Sequence, residues 1–460
     1  MTNRKFKKTV FLLNAFVSIV SQSAVTDWDW WSCINTDAVE IPAHFLWGTA
    51  ISEYQNSGAD CCTNTNWSKW EDEKKIEKSG KACDFWNRYP EDIELIKNLG
   101  VNSFRFSVEW CKIEPEEGKF NKAALDHYVD LCDKLIEAGI TPMITLHHFV
   151  NPSWFDEKGG FEEEKNLYYF ERFCIKVFEH LSGKVNLWCT INEPTIYVFQ
   201  GYLRGVFPPG KLMNMPLALR VLKNLLQVHT HVYHSLKSMP HGDTAQIGLV
   251  HQYLVFEPYT SWNPLERVPG LLFNYVLNTG VLKFLKTGTF NIKIPGLGEF
   301  FSYTAPKDKP LMDFIGLNYY SHPLMKGQLS FRDPLITTNY ANEVMTDMPY
   351  RMCPVGFYKA IKHMSEFNVP IYITENGIAD AQDKNRETFL RQYIFAMQKA
   401  IDEGCDVRGY YYWSLMDNYE WDMGYSMKFG LYAVDHDTQE RALRTSAHYY
   451  KNIIAQSKAA

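Results

Sequence analysis

The chain has 460 residues, of which 46% are hydrophobic and 22% are charged, proportions typical of a globular protein with a sizeable core. Its formal net charge is −6, and no basic stripe follows the first eight residues. Nucleic acid is therefore not an expected partner. Aromatic residues account for 15% of the chain, a share that a large core can hold and that also provides rings able to stack on sugars.

The first 24 residues have the layout of a secretory signal peptide. Four basic residues between positions 4 and 8 precede an apolar run over 9–20, and the small residues Ser21, Ser23 and Ala24 follow. Cleavage is expected after Ser23 or Ala24. The apolar run is short for a transmembrane helix, so an uncleaved anchor, which would give the protein a membrane partner, and a structured tail are the alternatives. No other segment is predicted to reach the length of a membrane span.

We divide the chain into this N-terminal hydrophobic segment (1–24), a linker (25–40) and a main domain (41–457). The ten cysteines form no CxxC pair. Cys132, Cys174 and Cys189 fall among apolar residues, which is typical of small buried side chains. Unpaired cysteines favour a compartment in which thiols stay reduced, whereas the N-terminal segment favours export. We place export first and keep a cytoplasmic location as the alternative.

Eight short apolar segments recur along the main domain, with little alternation between polar and apolar residues. Such runs are typical of parallel strands that are covered on both faces. The predicted strands are His44–Thr49, Ser103–Val108, Pro142–His147, Asn186–Asn192, Gln246–Gln252, Asp313–Asn318, Pro370–Thr374 and Val407–Trp413.

Amphipathic helices are predicted between these strands. One is expected to begin at Pro90 and to end before Gly100, a second to end before Gly139 and a third before Gly404. Eight strands that alternate with helices predict an α/β protein made of a single (β/α)8 TIM barrel. The alternative, a doubly wound open sheet, would need a phosphate loop such as GxGxxG or GxxxxGKS/T, and the sequence contains neither.

Two glutamates stand at predicted strand ends, where a TIM barrel gathers its functional groups. Glu193 follows the fourth strand and precedes Pro194, which helps to end that strand. Glu375 follows the seventh strand and precedes the turn-forming pair Asn376-Gly377. Cleavage of a glycosidic bond needs two carboxyl groups, and a separation of about 5–5.5 Å would give retention of configuration. Either glutamate alone would more often be a solvated strand-end residue, but the polar groups around them favour the catalytic interpretation.

Other strand ends supply the complementary groups. Arg105, a permanent cation, and Tyr320 are expected to keep Glu375 ionised. Glu193 must instead hold a proton, which requires a less polar or anion-flanked setting. Asn318 ends the sixth strand beside them. The predicted sugar-binding residues combine planar polar groups with an indole, and they are Gln55, His148, Asn192, Glu420 and Trp421.

The pair His147-His148 is the strongest candidate for a metal site in the sequence. No third ligand at useful spacing accompanies it, and hydrolysis of a glycoside needs no metal. We therefore predict neither a metal nor any other cofactor.

Five segments, met in order along the chain, are similar to the motifs of one enzyme family. They are Phe45-Leu46-Trp47-Gly48 with Tyr54-Gln55, Phe104-Arg105-Phe106-Ser107, Thr190-Ile191-Asn192-Glu193-Pro194, Ile373-Thr374-Glu375-Asn376-Gly377 and the segment from Trp413 to Trp421. Together they resemble glycoside hydrolase family 1, the TIM-barrel family of β-glucosidases and β-galactosidases, from about Phe45 to Tyr450.

The resemblance implies a retaining β-glycosidase that removes a terminal non-reducing β-linked sugar through a covalent glycosyl-enzyme. The substrate would be a small-molecule β-glycoside or an oligosaccharide, and no cofactor would be needed. Glu193 would be the acid/base and Glu375 the nucleophile, with Asn318 in the catalytic group. Trp413 and Phe429 would join the sugar-binding residues.

Two departures from the family pattern leave alternatives open. Phe149 stands where the family usually has Trp, which is expected to loosen one wall of the sugar site. Lys428 stands where Arg is more usual, in a neighbourhood where 6-phospho-β-glycosidases place a phosphate-binding Lys. Glu420 and Trp421 are retained, and a carboxylate there suits a free hydroxyl better than a phosphate. A 6-phospho-β-glycosidase, a transglycosylase and a non-catalytic glycan-binding or receptor protein remain the alternatives.

Overall fold

Eight parallel strands close into a barrel in the computed structural model of the chain. The structure describes residues 40–42, 44–294, 298–307, 309–327, 335–341 and 343–459. The predicted signal peptide, and all of the predicted linker except Glu40, lie outside these residues. The barrel strands are β1 (Leu46–Ala50), β2 (Ser103–Ser107), β3 (Thr141–Thr145), β4 (Leu187–Asn192), β5 (Gln246–Gln252), β6 (Phe314–Asn318), β7 (Ile371–Asn376) and β8 (Val407–Trp413).

Each strand pairs in parallel with its neighbours in the order β1-β8-β7-β6-β5-β4-β3-β2, and β2 closes on β1. The (β/α)8 prediction is confirmed, and all eight predicted strands lie within two residues of the observed bounds. The strands are covered on both faces, as their apolar runs indicated: all five residues of β2 are buried. Side chains from seven strands meet in one buried cluster that includes Met143, Cys189, Val250, Phe314 and Tyr411.

One long helix follows each strand. These helices are α1 (Phe85–Leu99), α2 (Lys122–Glu137), α3 (Leu167–Leu181), α4 (Met215–Lys237), α5 (Gly280–Thr287), α6 (Pro354–Met364), α7 (Arg386–Asp402) and α8 (Ala447–Ala459). The predicted ends before Gly100, Gly139 and Gly404 are confirmed, and all three glycines adopt positive φ. The predicted start of α1 at Pro90 is wrong. The amides of Asn87 and Arg88 already bond to the Asp84 carbonyl, so the helix begins five residues earlier.

Short elements fill the connections. The short helices and helical turns are Glu53–Ser57, Ala59–Cys61, Asn66–Lys74, Trp110–Ile113, Ser153–Glu157, Gly160–Glu162, Glu164–Asn166, Pro194–Val198, Phe199–Leu203, Pro264–Asn274, Tyr275–Thr279, Ser365–Phe367 and Trp421–Met423. The small strands are Glu257–Pro258, Thr289–Ile294, Gly298–Thr304, Leu324–Gly327, Leu335–Thr338, Tyr432–Val434 and Arg441–Leu443.

A continuous helical rod runs from Pro264 through Tyr275–Thr279 into α5 and ends at Thr287. Among the described residues, this rod is long and apolar enough to cross a membrane, judged by length and composition alone. Half of its apolar stretch is buried inside the fold. The expectation that no second segment reaches membrane length is therefore wrong. A helix packed in a protein core meets the same criterion, so this finding does not indicate a span.

The cysteines fall into two groups. Cys132, Cys174 and Cys189 are fully buried, as predicted. Cys62 and Cys111, however, form a disulfide that ties the connection after β1 to the helix Trp110–Ile113 after β2. The interpretation of the cysteines as thiols that stay reduced is wrong for this pair. The sequence offered no sign of the pairing because the two residues are 49 positions apart and follow different strands.

Candidate active site

Glu193 lies immediately beyond the carboxyl end of β4, as predicted. The strand ends at Asn192, and the amide of Glu193 then donates to the Val250 carbonyl of β5 at 2.9 Å. Glu193 itself adopts a left-handed backbone with φ +45°, and the helix Pro194–Val198 begins at the next residue. Because a proline at the first helical position has no amide hydrogen to leave unpaired, the chain can turn sharply away at this point.

Glu375 lies near the carboxyl end of β7, in register with Asn318 of β6. Both of its carboxylate oxygens are occupied. Arg105 Nη1 donates to Oε1 at 2.7 Å, and the Tyr320 hydroxyl donates to Oε2 at 2.7 Å. Arg105 is completely buried, so its charge is little screened by water. Two such hydrogen bonds favour the ionised carboxylate.

Glu193 has the opposite environment. Burial raises its pKa well above the usual range of a glutamate, and the nearby charge of Glu375 raises it further. The amide of Asn318, which donates to Glu193 Oε1 at 2.7 Å, and the charge of Arg105 oppose this rise without cancelling it. One site therefore holds a carboxyl group that is disposed to keep its proton beside a second one that accepts hydrogen bonds from a buried guanidinium and a tyrosine hydroxyl.

A chain of hydrogen bonds links the two carboxyl groups. The Asn318 amide that donates to Glu193 also donates to Asn192 Oδ1 at 3.2 Å. Arg105 donates to the same Asn192 oxygen at 2.6 Å and to Glu375 at 2.7 Å. The five residues thus belong to one polar network at the carboxyl end of the barrel, as the sequence analysis expected.

Gln55 and Glu420 are 365 residues apart in the sequence and form a hydrogen-bonded pair. Gln55 Nε2 donates to Glu420 Oε2 at 3.2 Å, and the side-chain oxygen Oε1 of Gln55 accepts from the Ser52 hydroxyl at 2.7 Å. Burial raises the pKa of Glu420 to about 8, with further contributions from the charges of Asp422 and Glu375. This pair can therefore offer both donors and acceptors to a ligand.

Aromatic rings enclose the polar network. His148 stacks between Trp413 and Trp421, with ring centroids 5.9 and 6.1 Å away. The Phe149 ring lies 5.5 Å from Trp421, and the Phe207 ring lies 5.9 Å from it. Phe207 thus helps to fill the wall beside Phe149, a contact that the sequence analysis did not anticipate.

The remaining predicted side chains are also at this end of the barrel. Phe429 is buried, and its ring lies 5.9 Å from that of Tyr320. The charge of Lys428 is one of the smaller influences on the pKa values of Cys83 and His436. The backbone carbonyl of Lys428 accepts from buried Arg386 at 2.8 Å, which fixes the segment.

Several residues of the site were missed by the sequence analysis. Thr374 donates its hydroxyl to Asn318 Oδ1 at 2.7 Å and so fixes which end of that amide faces Glu193. Trp67, which the sequence leaves equally open as a core or a cleft residue, packs 4.6 Å from Trp421 and is fully buried. Burial raises the pKa of Tyr350, and the charges of Glu420 and Glu193 raise it further. Only the position of Thr374 next to Glu375 could have pointed to any of these roles.

The two adjacent histidines are held by amide side chains. His147 Nε2 is paired with Asn151 Oδ1 at 2.9 Å, and His148 Nε2 accepts from the Asn192 amide at 3.2 Å. Because His148 Nε2 accepts, its neutral ring carries the proton on Nδ1. Within the described ranges, no group of three or more His, Cys, Asp or Glu residues is arranged to hold a metal ion.

Comparison with known proteins agrees with this geometry. The profile of the family described as "Glycosyl hydrolase family 1" matches residues 38–459. A beta-glucosidase A from Thermotoga maritima is 33% identical over 445 residues, which cover 90% of this chain and 98% of the relative. A 6-phospho-beta-galactosidase from Staphylococcus haemolyticus is 29% identical, over 91% of this chain and 99% of the relative.

A solved structure gives the same result. A beta-glycosidase from Pyrococcus horikoshii is 38% identical and superposes with a TM-score of 0.81. The superposition covers 92% of this chain and 96% of the Pyrococcus protein. Profile, sequence and structure therefore agree over nearly the whole length of the barrel. The chain belongs to glycosyl hydrolase family 1 and is an O-glycoside hydrolase of the β-glucosidase type, with a reaction that retains the configuration of the sugar.

Proposed function

We propose that Glu375 is the nucleophile and Glu193 the acid/base of this reaction. In the first step a Glu375 oxygen bonds to the anomeric carbon while the glycosidic bond breaks and Glu193 gives its proton to the departing oxygen. In the second step Glu193 takes a proton from water, whose oxygen attacks the same carbon and releases Glu375. Two inversions at one carbon leave its configuration unchanged.

This assignment rests on the different hydrogen bonds and charges around the two carboxyl groups. Glu375 receives one hydrogen bond from Arg105 and one from Tyr320. Glu193 receives a neutral amide hydrogen bond, and burial and the charge of Glu375 raise its pKa. Once Glu375 is esterified its charge is lost, so the pKa of Glu193 falls and the residue can act as base.

The sugar would lie against the Gln55–Glu420 pair, with the rings of Trp413 and Trp421 as its walls. Gln55 and Glu420 offer paired planar groups to neighbouring hydroxyls. His148 Nδ1 is buried and has no hydrogen-bond partner within the described part of the chain. Because this atom is shielded from solvent, the donor to a sugar hydroxyl would be the remaining amide hydrogen of Asn192, and the ring of Phe429 would pack against the sugar.

The charges around Glu420 favour a sugar without a phosphate. Asp422 and Glu375 both act on Glu420 as negative charges, and a phosphate dianion placed there would meet the same repulsion. The charges named as acting on Glu420 do not include that of Lys428, the candidate phosphate-binding residue. The 29% identical 6-phospho-beta-galactosidase makes phosphorylated sugars the second candidate, so the experiment must include them.

The decisive experiment measures kcat/KM on a panel of aryl β-glycosides that differ in the sugar and in 6-phosphorylation. We expect aryl β-glucoside or β-galactoside to be turned over with a higher kcat/KM than its 6-phosphate. A preference for the 6-phosphate would overturn the proposed substrate class but not the assignment of the carboxyl groups.

The assignment of Glu375 is tested separately with Glu375→Ala. Turnover should be abolished, and added azide should restore it with an α-configured glycosyl azide as product, because the small anion enters the vacated space. The matched control is Glu137→Ala, an exposed glutamate at the end of α2, which should keep wild-type activity. Activity of Glu375→Ala near that of the wild type would refute the nucleophile assignment.

A further inference from the structure

The rod that precedes α5 has an exposed apolar face. Trp262, Leu265 and Val268 are 79%, 75% and 64% exposed, and Leu271, Leu272 and Tyr275 continue the face at 36–39%. Val268, Leu271, Leu272 and Tyr275 follow Leu265 at positions that lie on one side of a helix, and Trp262 stands just before the first helical residue. Soluble proteins expose single apolar residues routinely, but a contiguous face of this kind marks an interaction surface. We call these six residues the apolar face.

The opposite side of the rod is firmly packed, so the apolar face is a property of the folded protein. Phe273 packs its ring 5.7 Å from Phe199 and 5.4 Å from Phe256. Asn274 exchanges two hydrogen bonds with the backbone of Phe256. After Tyr275 the rod turns inward, and Val281 and Phe284 are completely buried. The first half of the rod presents apolar side chains to the outside, whereas the exposed residues of the second half are Thr279, Lys283, Lys286 and Thr287. This arrangement suits a helix lying on a surface rather than crossing a membrane.

The charged side chains at the surface of the rod are basic. Between Tyr259 and Thr287 the charged residues are Glu266, Arg267, Lys283 and Lys286. Glu266 is buried and accepts the backbone amides of Gly327 and Thr260, so its charge is used internally. Lys286 pairs with Glu366 at 3.4 Å. Arg267, which is half-buried, and Lys283, which is exposed, remain as cations of the rod in a chain whose net charge is −6.

We infer that the apolar face docks on an anionic lipid surface, with Trp262, Leu265 and Val268 entering the headgroup region and Arg267 and Lys283 lying over the anionic headgroups. A helix with apolar and aromatic residues on one side and Lys or Arg beside them has the features of an interfacial membrane helix. A second copy of the chain fits less well, because a two-fold contact would bring the same cations together.

The surface lies at the catalytic end of the barrel. The connection that carries it leaves β5 at the carboxyl end, where Gln252 pairs with Asn318. Phe199, on which Phe273 packs, follows directly after the helix Pro194–Val198 that begins at the acid/base residue. Docking would therefore bring the pocket end of the barrel, rather than its opposite end, toward the lipid.

The test compares binding of the full chain to phosphatidylcholine vesicles with and without phosphatidylserine. We expect binding to vesicles that contain phosphatidylserine, and a loss on the order of tenfold or more in Trp262→Ser/Leu265→Ser/Val268→Ser, because three buried apolar contacts are removed. Arg267→Gln/Lys283→Gln should weaken binding about fivefold per cation with phosphatidylserine and hardly at all without it. The control is Ile136→Ser/Tyr168→Ser, which removes exposed apolar residues of α2 and α3.

Trp262 reports locally whether the apolar face enters the lipid. Brominated lipids should quench a part of the fluorescence that disappears in Trp262→Phe, a variant that keeps the apolar surface. This readout separates the apolar face from any contact made by the N-terminal apolar run. Hydrolysis of a soluble aryl glycoside should be unchanged in all variants, so failure of docking is distinct from failure of the proposed function. Equal quenching in Trp262→Phe, or a dimer that the triple variant dissociates without vesicle binding, would overturn the inference.

Discussion

Three residues of the pocket hold a backbone conformation that side chains rarely adopt. Phe149, Glu193 and Trp421 have φ values of +69°, +45° and +50°. For a residue other than glycine this conformation costs about 1–3 kcal/mol, and such residues concentrate at functional sites. Glu193 directly follows β4, and Phe149 and Trp421 lie in the connections after β3 and β8. The surrounding packing must stabilise this geometry.

Glu193 is the residue at which the proposed mechanism can be tested most directly. In Glu193→Ala no group protonates the departing oxygen, so glycosides with poor leaving groups should lose about 10²–10⁴-fold in rate. Aryl glycosides with activated leaving groups need little protonation and should lose far less in the first step. Measuring kcat/KM across a series of aryl leaving groups checks this expectation. Equal slowing across the series would count against the role of Glu193 as acid.

The pH profile gives a second test of the same residue. Burial and the charge of Glu375 hold the pKa of Glu193 well above its usual range. Since the protonated form is the active one in the first step, kcat/KM should fall as the pH rises through that raised pKa. The alkaline fall should disappear in Glu193→Ala when an activated aryl glycoside is used. An unchanged alkaline limb in the variant would assign it to another group.

At the scale of elements, the strand ends of β7 and β8 approach so closely that a side chain cannot fit between them. A Cβ atom placed on Gly377 would lie 1.8 Å from the Trp413 carbonyl oxygen. Gly377 directly follows the end of β7, which carries Glu375, and Trp413 ends β8, which contributes to the sugar walls. The glycine is therefore required by a close approach of two backbones.

Gly377→Ala should force these two ends apart. We expect a loss of about 1–3 kcal/mol or more in stability, because the clash is with backbone rather than with a side chain that can move aside. A fall in kcat should accompany it, since Glu375 lies two residues away. Thermal unfolding and kinetics on an aryl glycoside measure both effects. Gly183→Ala is the control, because its Cβ would meet only His241 at 3.8 Å, and a similar loss there would contradict the explanation.

The elements of the barrel were predictable from sequence because their period and burial are simple. A parallel strand buried on both faces needs an unbroken apolar run, and β5 and β8 have the predicted bounds for that reason. The site residues at strand ends followed from the same pattern. Contacts that join distant connections were not predictable. Phe207 contacts Trp421 although more than two hundred residues separate them in the sequence, and no local sequence pattern predicts such a contact.

At the scale of the whole molecule, the destination of the chain is a proposal that joins two observations. The N-terminal sequence has the layout of a signal peptide, and the disulfide between Cys62 and Cys111 is of the kind that persists in oxidising compartments. We propose export. Expressed in a secreting eukaryotic cell, the protein should appear in the medium with a new N-terminus after Ser23 or Ala24. An intact N-terminus on protein that stays in the cytoplasm would reject the proposal.

The disulfide is also expected to stabilise the barrel. Cys62→Ser opens a link between residues 49 positions apart, which lets the unfolded chain gain entropy and should cost about 2–4 kcal/mol of stability. Cys61→Ser is the matched control, since the neighbouring Cys61 carries a free thiol and should leave stability nearly unchanged. Denaturant unfolding with and without a reductant measures the difference. The reductant should lower the stability of the wild type and Cys61→Ser to the level of Cys62→Ser, and equal stabilities of the three proteins before reduction would show that the link does not stabilise the fold.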